Sequence, residues 1–123
     1  MADDDPVKRF YELTDEAFSK FNMNIHEPRE IGRYLEAAGF RNIRCVVKKV
    51  PIGPWARDPT LRIVGWYMKT AIETVLPSVA GKPFEALGMS LEERTLWPAV
   101  VRKSLNDATR HRYCHYYFWC AQK

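Results

Sequence analysis

A chain of 123 residues, 46% hydrophobic and 13% aromatic, has enough apolar material for its own core, and residues 1–123 read as one domain that needs no staples. Three cysteines without a CxxC pair, no secretory segment and no apolar run long enough to cross a bilayer exclude a disulfide scaffold and an integral membrane protein, leaving a reducing, cytoplasmic setting as the expectation. The formal net charge of +4 is scattered rather than massed, so it permits an acidic partner without specifying one.

Asp3, Asp4 and Asp5 followed by Pro6 place carboxylates and a proline where a helix begins. Val7, Phe10, Tyr11, Ala17, Phe18 and Phe21 recur at helical spacing and predict an amphipathic helix over residues 6–22 with an aromatic stripe. A polar break at residues 22–26 ends it. Glu27 and Pro28 open a second helix over 28–38, with Ile31, Tyr34, Leu35 and Ala38 as its apolar side and Gly39 as a left-handed cap, Phe40 being placed to pack back on the helix's last turn.

Residues 42–50 read as a half-buried strand: Ile43, Cys45 and Val47 share one face, while Arg44 and Lys48 interrupt the other as at a sheet edge. Pro51, Ile52, Gly53, Pro54 and Trp55 form a rigid loop, since two prolines lack ladder donors. Asp58 and Pro59 begin a third helix over 59–76 that carries Leu61, Val64, Met68, Ile72 and Leu76 and stops at Pro77. A short piece near residues 83–87 ends at Gly88. Ser90 and Glu93 make a capping box for a fourth helix over 91–107, bent at Pro98, with Leu96, Trp97, Val100, Val101 and Leu105 on it.

The last strand, residues 112–121, is apolar on both alternating faces. Tyr113, His115, Tyr117 and Trp119 point one way; Cys114, Tyr116, Phe118 and Cys120 point the other. Such a strand calls for cover on both faces and is expected to be central in its sheet.

The ordered series of Ala37 to Phe40, a strand, Lys48 to Trp55, Arg57 to Tyr67, Leu87 to Glu93 and a final strand after His111 resembles the carboxy-terminal half of fungal LaeA-like SAM-dependent methyltransferases, often grouped with trans-aconitate-type methyltransferases. The resemblance implies a doubly wound α/β sheet ending in an antiparallel pair, the last strand lying inside the edge strand before it. For these residues alone it implies an α+β, truncated Rossmann-like fold: helices packed on an antiparallel strand pair, the sheet completed by dimerisation. The six glycines never form GxGxxG, so the cofactor half of that family is expected to be missing, with no SAM and no other cofactor bound.

His111 and His115 stand ~13 Å apart along a strand and cannot share a zinc ion, so no metal site is expected. Two-faced burial of the last strand leaves no open stacking platform, so no nucleic-acid partner is expected either. Asp107 and His111 read as a cap and a satisfied loop histidine rather than an acid/base pair. Methyltransferase-like proteins of fungal biosynthesis have been turned to cofactor-free cyclisation, which gives the resemblance a functional reading: a pocket for a small hydrophobic metabolite and a Diels-Alder-type cyclisation or an isomerisation. Trp55, Trp66, Phe10, Phe18, Ile52 and Met68 would shape the pocket, and Tyr67, Arg57, His115 or Tyr113 would polarise a carbonyl. The alternative is a non-catalytic partner that docks on a full-length methyltransferase through its exposed sheet edge. In either case the bare strand invites a second copy, with Tyr113 to Trp119 in the interface of a homodimer.

Overall fold

The protein is described here by a computed structural model covering residues 2–123. It is α+β, five α-helices and a 3-10 turn packed on one antiparallel strand pair.

Helix α1 (Pro6–Ser19) starts where Asp5 caps it, the carboxylate accepting from the Val7 N–H at 2.9 Å. It buries Val7, Phe10, Leu13 and Ala17 against the helices that follow, with the Phe10 ring 5.1 Å from that of Phe84. The helix ends at Ser19 rather than Phe21 or Asn22, because Asn22 takes a left-handed φ of 57° that a helix cannot continue. Tyr11 and Phe21, counted in the aromatic stripe, are exposed.

In place of one helix over 28–38 the chain makes a 3-10 turn at Glu27–Arg29 and then α2 (Ile31–Ala37). Gly39, at φ 89°, closes α2, and the Phe40 N–H reaches back to the Leu35 carbonyl at 3.0 Å.

Strand β1 (Arg41–Ile52) pairs with β2 (Arg112–Gln122), Val47 opposite Tyr117 and Pro51 opposite Tyr113, with an irregularity between Arg41 and Arg44. Pro51 and Ile52 thus belong to the strand, although a break at Pro51 was expected. A proline fits a strand wherever its missing N–H is not called on, and a two-stranded sheet leaves β1 an outer side with no neighbour.

Helix α3 (Pro59–Val79) begins at Asp58, whose carboxylate accepts from the Leu61 N–H at 3.2 Å. It meets the end of β1 backbone to backbone: the Gly53 N–H donates to the Gly65 carbonyl at 2.9 Å, and a Cβ on Gly65 would lie 2.1 Å from the Gly53 oxygen. Only glycine fits there. Pro77 lies within α3 instead of stopping it. Its ring removes the N–H that would bond the Glu73 carbonyl, and the Arg102 guanidinium from the neighbouring helix donates to that carbonyl at 3.3 Å instead. After α4 (Lys82–Glu85), Ser90 caps α5 (Leu91–Leu105) by accepting from the Glu93 N–H at 3.2 Å.

The core lies among α1, α3, α4 and α5, around Phe84, Leu76 and Val101. A buried ion pair closes it. Arg112 at the start of β2 donates from Nε and Nη2 to both carboxylate oxygens of Asp5, at 2.7 and 2.9 Å, and from Nη1 to the Ser104 carbonyl at 2.9 Å. The guanidinium therefore ties the start of α1 to the end of α5 and the start of β2, segments at opposite ends of the chain.

The sheet is less well covered. On one face Trp119 lies beneath α2, its Nε1–H donating to the Pro28 carbonyl at 2.8 Å, in a space that the missing Cβ of Gly32 leaves open. On the other face the Tyr116 hydroxyl donates to the Met68 sulfur at 3.2 Å. Tyr113, Tyr116 and Phe118 of β2 and Val46 and Val47 of β1 are nevertheless exposed. The cover expected on both faces of β2 is not supplied by the described residues: one short helix and one long helix cross a twelve-residue strand pair at limited points, and no third strand among them lies beside β2.

Candidate functional site

A mainly apolar cleft of about 480 Å³ opens along the outer edge of β2. α1 forms one wall through Val7, Phe10, Tyr11 and Thr14; α3 forms another through Met68, Ile72, Val75 and Val79. Tyr113, Cys114, His115, Tyr116 and Tyr117 all line it, although their side chains alternate between faces. Consecutive residues can share one cleft only where it wraps the strand's open edge.

Five residues singled out from the sequence meet there: Phe10, Ile52, Met68, Tyr113 and His115. The Tyr113 and His115 rings stand edge to face at 5.5 Å, and the Lys49 ammonium lies over the Tyr113 ring at 3.7 Å. The other five lie elsewhere. Trp55 stacks on His111 at 4.9 Å, donates from Nε1 to the Arg112 carbonyl at 2.8 Å, and lines a separate hollow of about 160 Å³. Trp66 and Tyr67 pack edge to face at 5.3 Å on the outer side of α3, both exposed. Arg57 is exposed, and its carbonyl accepts from Arg62. Phe18 packs partly buried against the core.

The polar side of the cleft comes from a segment that reads in sequence only as a helix stop. His26 Nε2 lies 3.0 Å from an Asp15 carboxylate oxygen, and the Tyr11 ring stands edge-on to His26 at 6.1 Å. Partial burial where it lines the cleft, reinforced by the Asp15 charge, raises the Tyr11 phenol above its ordinary value. Burial also raises the Cys114 thiol, which keeps it protonated and poorly nucleophilic. No pattern at residues 22–29 announces a pocket wall, and only the placing of α1 beside β2 makes one.

A SAM site needs free backbone N–H groups at a glycine turn. Three glycines have positive φ, Gly39, Gly53 and Gly88, and their N–H groups are bonded to Glu36, Gly65 and Glu85 respectively. The residues present do not fit the cofactor.

The surface is large for the chain. It measures 8667 Å², whereas a compact 14.4 kDa monomer exposes about 6,800 Å². Among the described residues, eighteen large apolar or aromatic side chains are exposed against twelve buried apolar ones.

The chain is 31% identical over 118 residues to the secondary metabolism regulator laeA of Fusarium oxysporum f. sp. lycopersici, covering 94% of this chain and 37% of that protein. It is a homologue of the fungal LaeA-type regulators. A laeA regulator of Gibberella zeae is 28% identical over 125 residues, with the same coverage of each chain. A probable methyltransferase of Emericella nidulans, tdiE, is 22% identical, covering 100% of this chain and 39% of that protein. This LaeA-like chain thus spans little more than a third of the length of the curated relatives it matches. No family model and no solved structure matches it. No helix among the described residues is long and apolar enough to cross a membrane.

Proposed function

We propose that this chain is a non-catalytic association module in the regulation of fungal secondary metabolism, which acts by seating another polypeptide along the outer edge of β2. The observation that carries this reading is the excess of exposed surface, roughly 1,800 Å² over a compact monomer, more than twice the ~800 Å² each partner gives to a standard interface. Tyr113, Tyr116 and Phe118 contribute to it along an aromatic strand whose outer edge is unpaired among the described residues. The regulator names of the relatives agree with a role in control.

A second reading is supported by the cleft. Its volume suits a small hydrophobic metabolite, and Tyr113 or His115 could polarise a carbonyl for a cofactor-free cyclisation. It ranks lower because the cleft runs open along a strand edge, so water reaches any bound ligand, and because Tyr67 and Arg57 lie outside it.

Removing the chain from its fungal host separates the two. The association reading expects transcripts of several unrelated biosynthetic gene sets to change together. Accumulation of one uncyclised precursor with transcripts unchanged would establish the enzyme and sink the module.

A further inference from the structure

We infer that the polypeptide seated on β2 is a second copy of this chain, the two β2 strands running antiparallel across a two-fold axis to give a four-stranded sheet ordered β1, β2, β2, β1. The inference rests on the reading of the β2 edge as an interface and names its occupant.

The two edges of the sheet differ in kind. Along β1 stand Arg44, Lys48 and Lys49, Pro51 lacks a donor, and the pairing is irregular near Arg41. Charges, proline and irregular pairing are the features that keep an edge from adding strands. Along β2, residues 113–121 contain no Lys, Arg, Asp or Glu. An antiparallel copy thus brings no like charge against itself, and it sets ring beside ring, the pairing that favours cross-strand contact. A charged or polar strand from elsewhere would bury unpaired groups against Tyr116 and Phe118. The strand that matches β2 best on the page is β2. Two-fold pairing is also self-limiting, because the guarded β1 edges then lie outermost and the assembly stops at two. The excess surface on each copy is ample for a stable dimer.

Light scattering over a range of concentrations should give twice 14.4 kDa. Phe118 is 56% exposed, so Phe118→Lys leaves the monomer folded, with unchanged helical circular dichroism, while two ammonium groups near the axis raise the dimer dissociation constant by about 100-fold or more. Tyr116→Cys, Tyr117→Cys and Phe118→Cys, each made singly in a Cys45→Ala, Cys114→Ala, Cys120→Ala background, fix the register. Only the position at the axis brings its own copy within the ~4.4–6.8 Å Cα separation that a disulfide tolerates. A 14.4 kDa species at every concentration overturns the self-pairing, as does a dimer that ignores Phe118→Lys and forms no β2 crosslink. Neither outcome decides the association reading, which stands or falls on the transcript experiment.

Discussion

The two ends of β2 sit in opposite surroundings. At Arg112 the strand enters a closed site, its guanidinium held by Asp5 and Ser104 beneath α1 and α5. Six residues on, Phe118 stands more than half exposed, paired with Val46 of β1 on one side and, among the described residues, with no strand on the other. The strand therefore contributes to stability through a buried arginine at its start, while Tyr113, Tyr116 and Phe118 along it stay exposed. Burial, not residue type, separates the positions that anchor this strand from those that face outward.

The contrast predicts a gradient of mutational cost. Phe84→Ala, in the fully buried centre, should destabilise by about 3–5 kcal/mol in urea unfolding. A similar loss of about 3–5 kcal/mol is expected for Arg112→Ala, which strands the Asp5 carboxylate in the core, and the double variant with Asp5→Asn should recover part of it. A loss below 1 kcal/mol for Arg112→Ala would show that the pair is solvated and that the two ends of β2 differ less than their burial implies.

Acid sharpens the same comparison. Burial works to raise the Asp5 carboxyl, but the Arg112 guanidinium, the Val7 N–H and the Arg110 charge together outweigh it, and the net value lies below the ordinary 3.8. A carboxylate lowered on folding contributes stability that is full above its unfolded value and is lost as pH falls through the folded one. Thermal unfolding should hold steady from neutrality down to about pH 4 and then decline, with the Asp5→Asn variant showing a shallower decline over that window. Equal slopes in the two proteins would place the acid sensitivity elsewhere.

Smaller effects are expected away from the core. Arg102→Ala removes the donor that satisfies the Glu73 carbonyl left free by Pro77, at about 1 kcal/mol, since water can replace part of that bond at an exposed site. Smallest of all, Tyr67→Ser on the outer side of α3 should change monomer stability by less than about 0.5 kcal/mol, because Tyr67 is 65% exposed. A larger loss in dilute solution would mean that a partner already covers this face.

Local chemistry was legible where a few neighbouring residues settle the matter. Asp58 with Pro59 and Ser90 with Glu93 started helices as read, and Gly39 closed one, because capping depends on a side chain and an N–H two or three residues away. The prolines were less legible. Pro51 and Pro77 each look like breaks, and each is absorbed by something distant in sequence: an edge with no neighbour for one, the Arg102 side chain for the other. Of the ten residues singled out for a pocket, five lie in one cleft. Phe10, Ile52, Met68, Tyr113 and His115 converge, while Tyr11, His26 and Arg29 joined them without any motif.

From the sequence alone come the starts of α1, α3 and α5 and the charged edge strand, because propensity, capping and side-chain alternation are properties of short stretches, while the antiparallel pairing came with the resemblance to the LaeA-type regulators. The tertiary structure alone decided which aromatic residues are core and which are surface. Tyr113, Tyr116 and Phe118 carry the same apolar signal as Phe10 and Phe84, and no local rule distinguishes them. What separates them is the number of elements packed above each one, a quantity fixed only when α1, α3, α4 and α5 gather around Phe84, Leu76 and Val101 and leave the β2 rings from Tyr113 to Phe118 only partly covered.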